Sequence, residues 1–510
     1  MPAPSPVDTA PVPVTDPGTT LPPGWQYGGM YEVFVRAFQD SDGDGIGDLQ
    51  GLILRLDYLK ALGVKGLWLM PVMQSQDHDH GYSITDYRWI ENSYGALADL
   101  DALIAQAHAR GIGVILDYVM NHSAAGHPAF IDARSSPTSA FRDWYIWRDE
   151  KPAGWSIYGK DPWHADATGW YFGAFWDQMP DFNLLNPAVI AWHHDNLRFW
   201  LNRGVDGFRF DAVGNLVERD ADDFQDQPES YMIVAGLRQV MDEYENRFMV
   251  CESPADPIGF ANARPNVSAF AFGHHHDLIA AAGGDPGALE RVAGFPPVAP
   301  SWISTVLSNH DAFAGRRPMD QFGGNSAMAK LAAAMYLLQP GIPFVYYGEE
   351  IGMAGGDAMS PDASLRTPMS WTDDAGHPGF TTGTAFRAPS ANLRWNNYSA
   401  QRADPDSIFD FYKSMLALRN ERPSIARGNY DRVVAIGTSF GFRRSLDREE
   451  TLVAVNVGTN WVSVTFIGLA NGATWRELWV TPGANVEPTE TGTLKVWVPP
   501  QGVAVYARND

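Results

Sequence analysis

Among 510 residues there is a single cysteine, Cys251. No intramolecular disulfide can form, so stability must come from burial and from any bound metal. Positive charge is also scarce: 37 Lys and Arg face 60 Asp and Glu, for a formal charge of −23. A surface of that sign repels phosphate backbones and anionic lipid, so neither nucleic acid nor a membrane is expected as a partner, while a neutral ligand is unhindered. Long apolar runs are missing as well. The most apolar stretch, residues 331–347, is interrupted by Pro340, Gly341 and Pro343 and reads as helix–turn–strand, not as a membrane span. The N-terminus lacks the basic and apolar regions of a secretory leader. Residues 2–24 are instead rich in Pro, Thr, Asp and Val, a composition that builds no core and reads as a flexible lead-in. The expectation is an exported protein, secreted or periplasmic, whose leader was removed ahead of residue 1; a cytoplasmic protein is the alternative.

What the chain does have is length for two or three domains and a strict alternation of strand and helix patterns. Strand-like runs fall at 31–35, 65–71, 112–117, 205–210, 248–251, 267–272, 303–307 and 344–347, with helical patterns such as 52–62, 99–109 and 192–202 between them. Alternating βα units imply a parallel sheet, and eight of them imply a closed (β/α)₈ barrel, here residues 25–122 and 187–424. Residues 123–186 are dense in Trp, Tyr, Gly, Pro and Asp and too long for an ordinary loop, so they read as a small domain inserted after strand three. From residue 425 to 510 the pattern turns to β-prone runs at 433–436, 451–456, 462–466 and 493–498 separated by turn residues, an all-β sandwich domain.

Polar groups arrive where the apolar runs stop. The blocks are Asp117-Tyr-Val-Met-Asn121-His122, Gly207-Phe-Arg209-Phe-Asp211, Val250-Cys251-Glu252 and Leu307-Ser-Asn-His310-Asp311, with Gly348-Glu-Glu350 after the eighth run. A lone carboxylate at a strand end more often makes a salt bridge than a catalyst. Several delivered from parallel strands, with a guanidinium among them, can run acid–base and nucleophilic chemistry at a glycosidic carbon. Arg209 lies two residues before Asp211 on one strand, so both side chains face the same way and the cation favours an ionised Asp211.

The run Asp40-Ser-Asp42-Gly-Asp44-Gly-Ile46-Gly-Asp48 alternates oxygen ligands with glycines that allow a sharp turn. It predicts a calcium ion held by Asp40, Asp42, Asp44, the carbonyl of Ile46, and Asp48. It is not an EF-hand, because the twelfth position is Gly51. The run His274-His275-His276 reads as strand, where neighbours point to opposite faces and share no metal.

With these blocks in place, and with Gly63–Pro71, Asp79-His80-Gly81-Tyr82, Met179–Asn183 and Arg366–Trp371, the chain from about Met30 onward resembles the α-amylase family of retaining glycoside hydrolases. The block at 179–183 is similar to the intermediary group between oligo-1,6-glucosidases and neopullulanases. The resemblance implies Asp211 as nucleophile, Glu252 as acid/base and Asp311 as a third carboxylate on the substrate hydroxyls. It implies His122, His310, Arg209 and Tyr82 as contacts of the glucosyl unit being cleaved, with Asp117 supporting Arg209. Asp79 and Arg366 match a pair that holds the non-reducing end in exo-acting relatives. It further implies an α-glucan or maltooligosaccharide substrate, calcium as the only cofactor, and a monomer. Ala212, after the nucleophile, accompanies α-1,4 cleavage in such relatives, where Val accompanies α-1,6. The chain departs from many α-amylases in carrying Gly214-Asn215 where they have Lys-His. That departure puts in doubt one sugar contact and a second ion near Asn121, which is not assigned.

Overall fold

The computed structural model describes residues 7–77, 80–374, 378–488 and 492–509. Eight parallel strands form one sheet: β1 (Gly29–Val33), β2 (Val64–Leu69), β3 (Gly113–Tyr118), β4 (Gly207–Phe210), β5 (Phe248–Cys251), β6 (Ser268–Ala269), β7 (Ser304–Thr305) and β8 (Ile342–Tyr346). Their order is β6-β5-β4-β3-β2-β1-β8-β7, and Ala271 N–H donates to the Ser304 carbonyl at 2.7 Å, carrying the ladder from the end of β6 to β7. The fold is a (β/α)₈ barrel with a C-terminal antiparallel β domain. Every residue of β1, β3, β4, β5 and β8 is buried, as a sheet enclosed by helices requires.

The chain divides into two compact units, Met1–Pro23 with Asp48–Ile53 and Trp68–Phe270, and Gly24–Gly47 with Leu54–Leu67 and Ala271–Asp510. In the first, β3, β4 and β5 pair in register, with Asp117 opposite Arg209 and Arg209 opposite Val250. Close approach is possible because Gly207 has φ +154° and no side chain: a Cβ there would lie 1.8 Å from the Phe248 carbonyl oxygen. Helices α1 (Leu97–His108), α2 (Pro187–Asn202) and α3 (Pro228–Met241) follow β2, the inserted segment and β4. Asn186 caps α2, its side chain accepting from Ala188 N–H, and α2 buries Val189, Trp192, Leu197, Trp200 and Leu201. The 123–186 segment carries a three-stranded antiparallel sheet of Trp147–Arg148, Gly169–Phe172 and Trp163–Asp166 around Ile157, Trp163, Phe172 and Ala174.

Residues 7–23, read from composition as a flexible lead-in, are hydrogen-bonded to this unit. Val12 N–H donates to Asp195 at 3.1 Å, Thr15 N–H to Asn202 at 2.8 Å, and Arg247 pairs with Asp16 at 3.1 Å. Proline-rich backbone joins no ladder, but its carbonyls still accept side-chain donors, as the Pro13 carbonyl does from Asn202 at 2.9 Å.

The helices of the second unit include α4 (His274–Ala282), α5 (Ser326–Leu338) and α6 (Ile408–Glu421). The histidine run is helical, not a strand. It opens α4 after Gly273, and the His274 ring stacks on Phe295 at 4.0 Å instead of standing in a strand. The residues after α6 form a five-stranded and a three-stranded antiparallel sheet. Leu452, Ala454, Ala504 and Tyr506 of one meet Val464, Phe466, Leu494, Val496 and Val498 of the other in a common core, the layout of a sandwich. Among the described residues no helix is long and apolar enough to cross a membrane.

Candidate active site

Arg209 is the centre of the site in the first unit. Register places it beside Asp117, and one guanidinium nitrogen donates to Asp117 Oδ1 at 2.8 Å and to Asp211 Oδ1 at 2.7 Å. The other nitrogen contacts Glu252 Oε2. Arg209 and Asp117 are completely buried. Burial alone would lower the guanidinium's pKa, but Asp117, Glu252, Tyr82 and Asp211 outweigh it and raise it well above the ordinary value. The backbone brings these groups to one place: Asp211 N–H donates to the Tyr118 carbonyl at 3.1 Å and Glu252 N–H to the Phe210 carbonyl at 2.9 Å, so each acid sits one step past its strand.

Tyr82 and Trp68 complete this set. The Tyr82 hydroxyl donates to Asp117 Oδ2 at 2.9 Å and Trp68 Nε1–H to the same oxygen at 3.2 Å. The Arg209 guanidinium lies 5.2 Å from the centre of the Trp68 ring, a cation–π contact. Tyr82 therefore keeps its hydroxyl inside the cluster. His122 is buried, burial pushes its pKa down to about 4, and its Nε2 has no protein partner among the described residues. Nearby, Asn121 donates to Asp181 at 3.1 Å, and burial pushes Asp181 up to about 7. Ala212, next to Asp211, takes φ +46°, a left-handed conformation uncommon outside glycine and costlier still for β-branched residues.

A second acidic set occupies the other unit. His310 is fully buried, with Nδ1 2.6 Å from Glu32 and Nε2 2.9 Å from Asp311. Burial disfavours its charge, but Asp311 and Glu32 overcome that and raise its pKa to about 10, so the ring is an imidazolium at neutral pH. Arg366 adds a 2.8 Å bond to Asp311 Oδ1 and a 3.0 Å bond to the His310 carbonyl. Of the sequence candidates, Tyr82, Arg209, Asp211 and Glu252 thus gather around one cation, and His310, Asp311 and Arg366 around Asp311. Asp79 lies outside the described residues. Glu32 and Trp68 were not assigned roles from sequence. Glu32 had a signal, an acid inside an otherwise apolar strand.

The glycine-rich loop after β1 gathers Asp40, Asp42 and Asp48, whose carboxylates each offer an oxygen within 4.8 Å of the others. Asp40 is the anchor. Burial opposes its ionisation, but bonds from Thr381 and from the N–H groups of Gly43, Gly45 and Asp42 hold its pKa below the ordinary value. A Cβ on Gly45 would lie 1.9 Å from the Thr384 carbonyl, so only glycine lets the loop fold this tightly. Asp44 stands outside the trio and spends Oδ1 on Ile46 N–H at 2.7 Å. An all-oxygen, multiply anionic donor set suits a hard divalent cation.

The sequence profile of "Alpha amylase, catalytic domain" matches residues 32–428. The chain is 35% identical over 449 residues to "Alpha-amylase 3" of Dictyoglomus thermophilum, covering 86% of this chain and 85% of that protein. It is 31% identical over 515 residues to an oligo-1,6-glucosidase of Parageobacillus thermoglucosidasius, covering 85% and 90%. The crystal structure of the α-amylase from H. orenii superposes with a TM-score of 0.83 at 32% identity, covering 95% of this chain and 100% of that one.

Proposed function

Because the chain belongs to the α-amylase family of glycoside hydrolases, we propose that it cleaves α-1,4-glucosidic bonds of starch and maltooligosaccharides with retention of configuration. The observation that carries this reading is the pair Asp211 and Glu252 held on one buried guanidinium. In the proposed mechanism Asp211 attacks the anomeric carbon while Glu252 protonates the departing oxygen; Glu252 then deprotonates the water that releases the sugar from Asp211. Arg209 keeps Asp211 anionic and aimed. Asp311, steadied by His310 and Arg366, takes the family's role of binding sugar hydroxyls. His122, Tyr82 and Asp79 add contacts to that sugar. Ala212 supports α-1,4 specificity, and Val there would carry backbone strain as well as bulk.

Chromatography of the products from soluble starch and maltotriose tests this. A ladder of maltooligosaccharides from starch is expected. Glucose alone, released from chain ends, would support the second reading, an exo-acting α-glucosidase or transglucosylase, which Arg366 and the similarity to an oligo-1,6-glucosidase favour. Faster turnover of isomaltotriose than of maltotriose would overturn the linkage.

Calcium in the Asp40–Asp48 loop is proposed to stabilise without touching substrate. Chelation should lower Tm while leaving the initial rate at low temperature within about twofold; a metal-free protein with an unmoved Tm would remove the ion.

A further inference from the structure

One acid stands inside a barrel strand that is otherwise apolar. Glu32 is the next-to-last residue of β1 and is fully buried. In the sheet β8 lies between β1 and β7, with Tyr346 opposite Glu32. Glu32 reaches past that strand, and its Oε1 is 2.6 Å from Nδ1 of His310. A buried charge is costly to desolvate, and a neutral apolar pair of the same size would fill this space without that cost. Packing alone therefore does not account for the acid.

Both ring nitrogens of His310 face acids. Nε2 is 2.9 Å from Asp311 Oδ2, while Nδ1 is held by Glu32. A neutral imidazole has one N–H and one lone pair, so it donates to only one of two ionised carboxylates; an imidazolium donates to both. Asp311 is thereby gripped on each oxygen, Oδ2 by His310 and Oδ1 by Arg366 at 2.8 Å. With 22% of its side chain exposed, Asp311 is the member of this row that a ligand can reach. Among the described residues the groups facing the ring are Glu32 from β1, its neighbour Asp311, and Arg366, which bonds the His310 carbonyl at 3.0 Å. Burial raises the Tyr346 phenol's pKa well above its ordinary value, so that neighbour of Glu32 stays neutral. Burial also works against the charge on His310, and Asp311 and Glu32 override it, raising the ring's pKa to about 10.

We infer that Glu32 is a positioning residue, which holds His310 as a donor on both sides and so fixes the carboxylate plane of Asp311 toward the sugar. The inference rests on the reading of Asp311 as a ligand of sugar hydroxyls and adds the group that orders it from behind. Without the Glu32 charge the ring gives up its proton at lower pH. The neutral ring can then carry its N–H on Nδ1, which turns a lone pair on the Asp311 oxygen and loosens one side of the grip. Activity is lost from the alkaline side, where that neutral ring forms.

Glu32→Gln keeps the shape of the side chain and removes its charge. With the histidine Cε1 carbons labelled, the NMR resonance missing from His310→Gln identifies this ring. In wild type it should not titrate between about pH 6 and about pH 8.5, and in Glu32→Gln it should titrate inside that range. The kcat/KM of Glu32→Gln for maltotriose, taken relative to wild type at the same pH, should be about fivefold or more lower at about pH 8.5 than at about pH 5.5. An equal loss at both pH values is what a merely structural acid gives, and it would overturn the positioning role. A wild-type ring that titrates within the range would overturn it with no variant needed. Wild-type inactivity toward maltotriose would instead overturn the substrate reading, with the ring's titration still deciding the hold of Glu32 on His310.

Discussion

In one unit a guanidinium, Arg209, holds Asp117, Asp211 and Glu252; in the other an imidazole, His310, stands between Glu32 and Asp311. Both cations are fully buried and both gather carboxylates. The difference lies in what keeps them charged. Arginine stays protonated at any pH the fold meets and offers a rigid fork of donors. His310 is charged only because two carboxylates raise its pKa to about 10 against its own burial. One cluster therefore carries a fixed charge, and the other a conditional charge that lasts while its acids stay ionised.

The largest effect should come from removing the acids of the fixed cluster. Asp211→Asn and Glu252→Gln should each lower kcat on maltotriose by about a thousandfold or more with little change in Tm. Retention of a tenth of the rate in either variant would remove that residue from the chemistry. Removing the cations should separate the clusters by stability. Arg209→Gln strands buried carboxylates and is expected to cost about 3–5 kcal/mol in chemical unfolding. His310→Gln, which can still bond an acid and leaves Arg366 on Asp311, should cost less, about 1–3 kcal/mol. Equal costs would break the comparison. The subtlest test is pH. With a folded pKa of about 10 above an ordinary 6.5, His310 contributes its full stabilisation below 6.5 and loses it as pH rises through about 10. The Tm gap between wild type and His310→Gln should therefore narrow from pH 6 to pH 10, while the gap for Arg209→Gln persists. A His310 gap that stays constant would mean a neutral ring.

The fixed cluster was the more legible in sequence. Asp117, Arg209, Asp211 and Glu252 each end or follow an apolar run, and side-chain alternation along β4 correctly aligned Arg209 with Asp211. Glu32, by contrast, meets His310 across 278 residues, a distance no local pattern spans. Strands β6 and β7 shrink to two residues each, because loops take over where the apolar runs suggested longer strands. Helix 52–62 breaks at Arg55 into Leu49–Leu54 and Leu56–Leu62. The strand Ser439–Leu446 escaped notice because Arg443 and Arg444 spoil its pattern. The structure accommodates both, Arg443 on Asp431 of the neighbouring strand and Arg444 on the carbonyls of Leu338 and Gly428.

The docked segment before β1 has a consequence for how the chain is made. Val12 bonds Asp195 across 183 residues, and Arg247 reaches Asp16 across 231. At about 5–20 residues per second, roughly ten to fifty seconds of synthesis separate the segment from the side chains that receive it. It must wait as an unattached ribbon while β3, β4, α2 and α3 emerge and fold, and only then close against them. The stretch translated early is thus fastened late, and a bulky passenger fused ahead of it would slow the final closure of that unit more than it would disturb the finished enzyme.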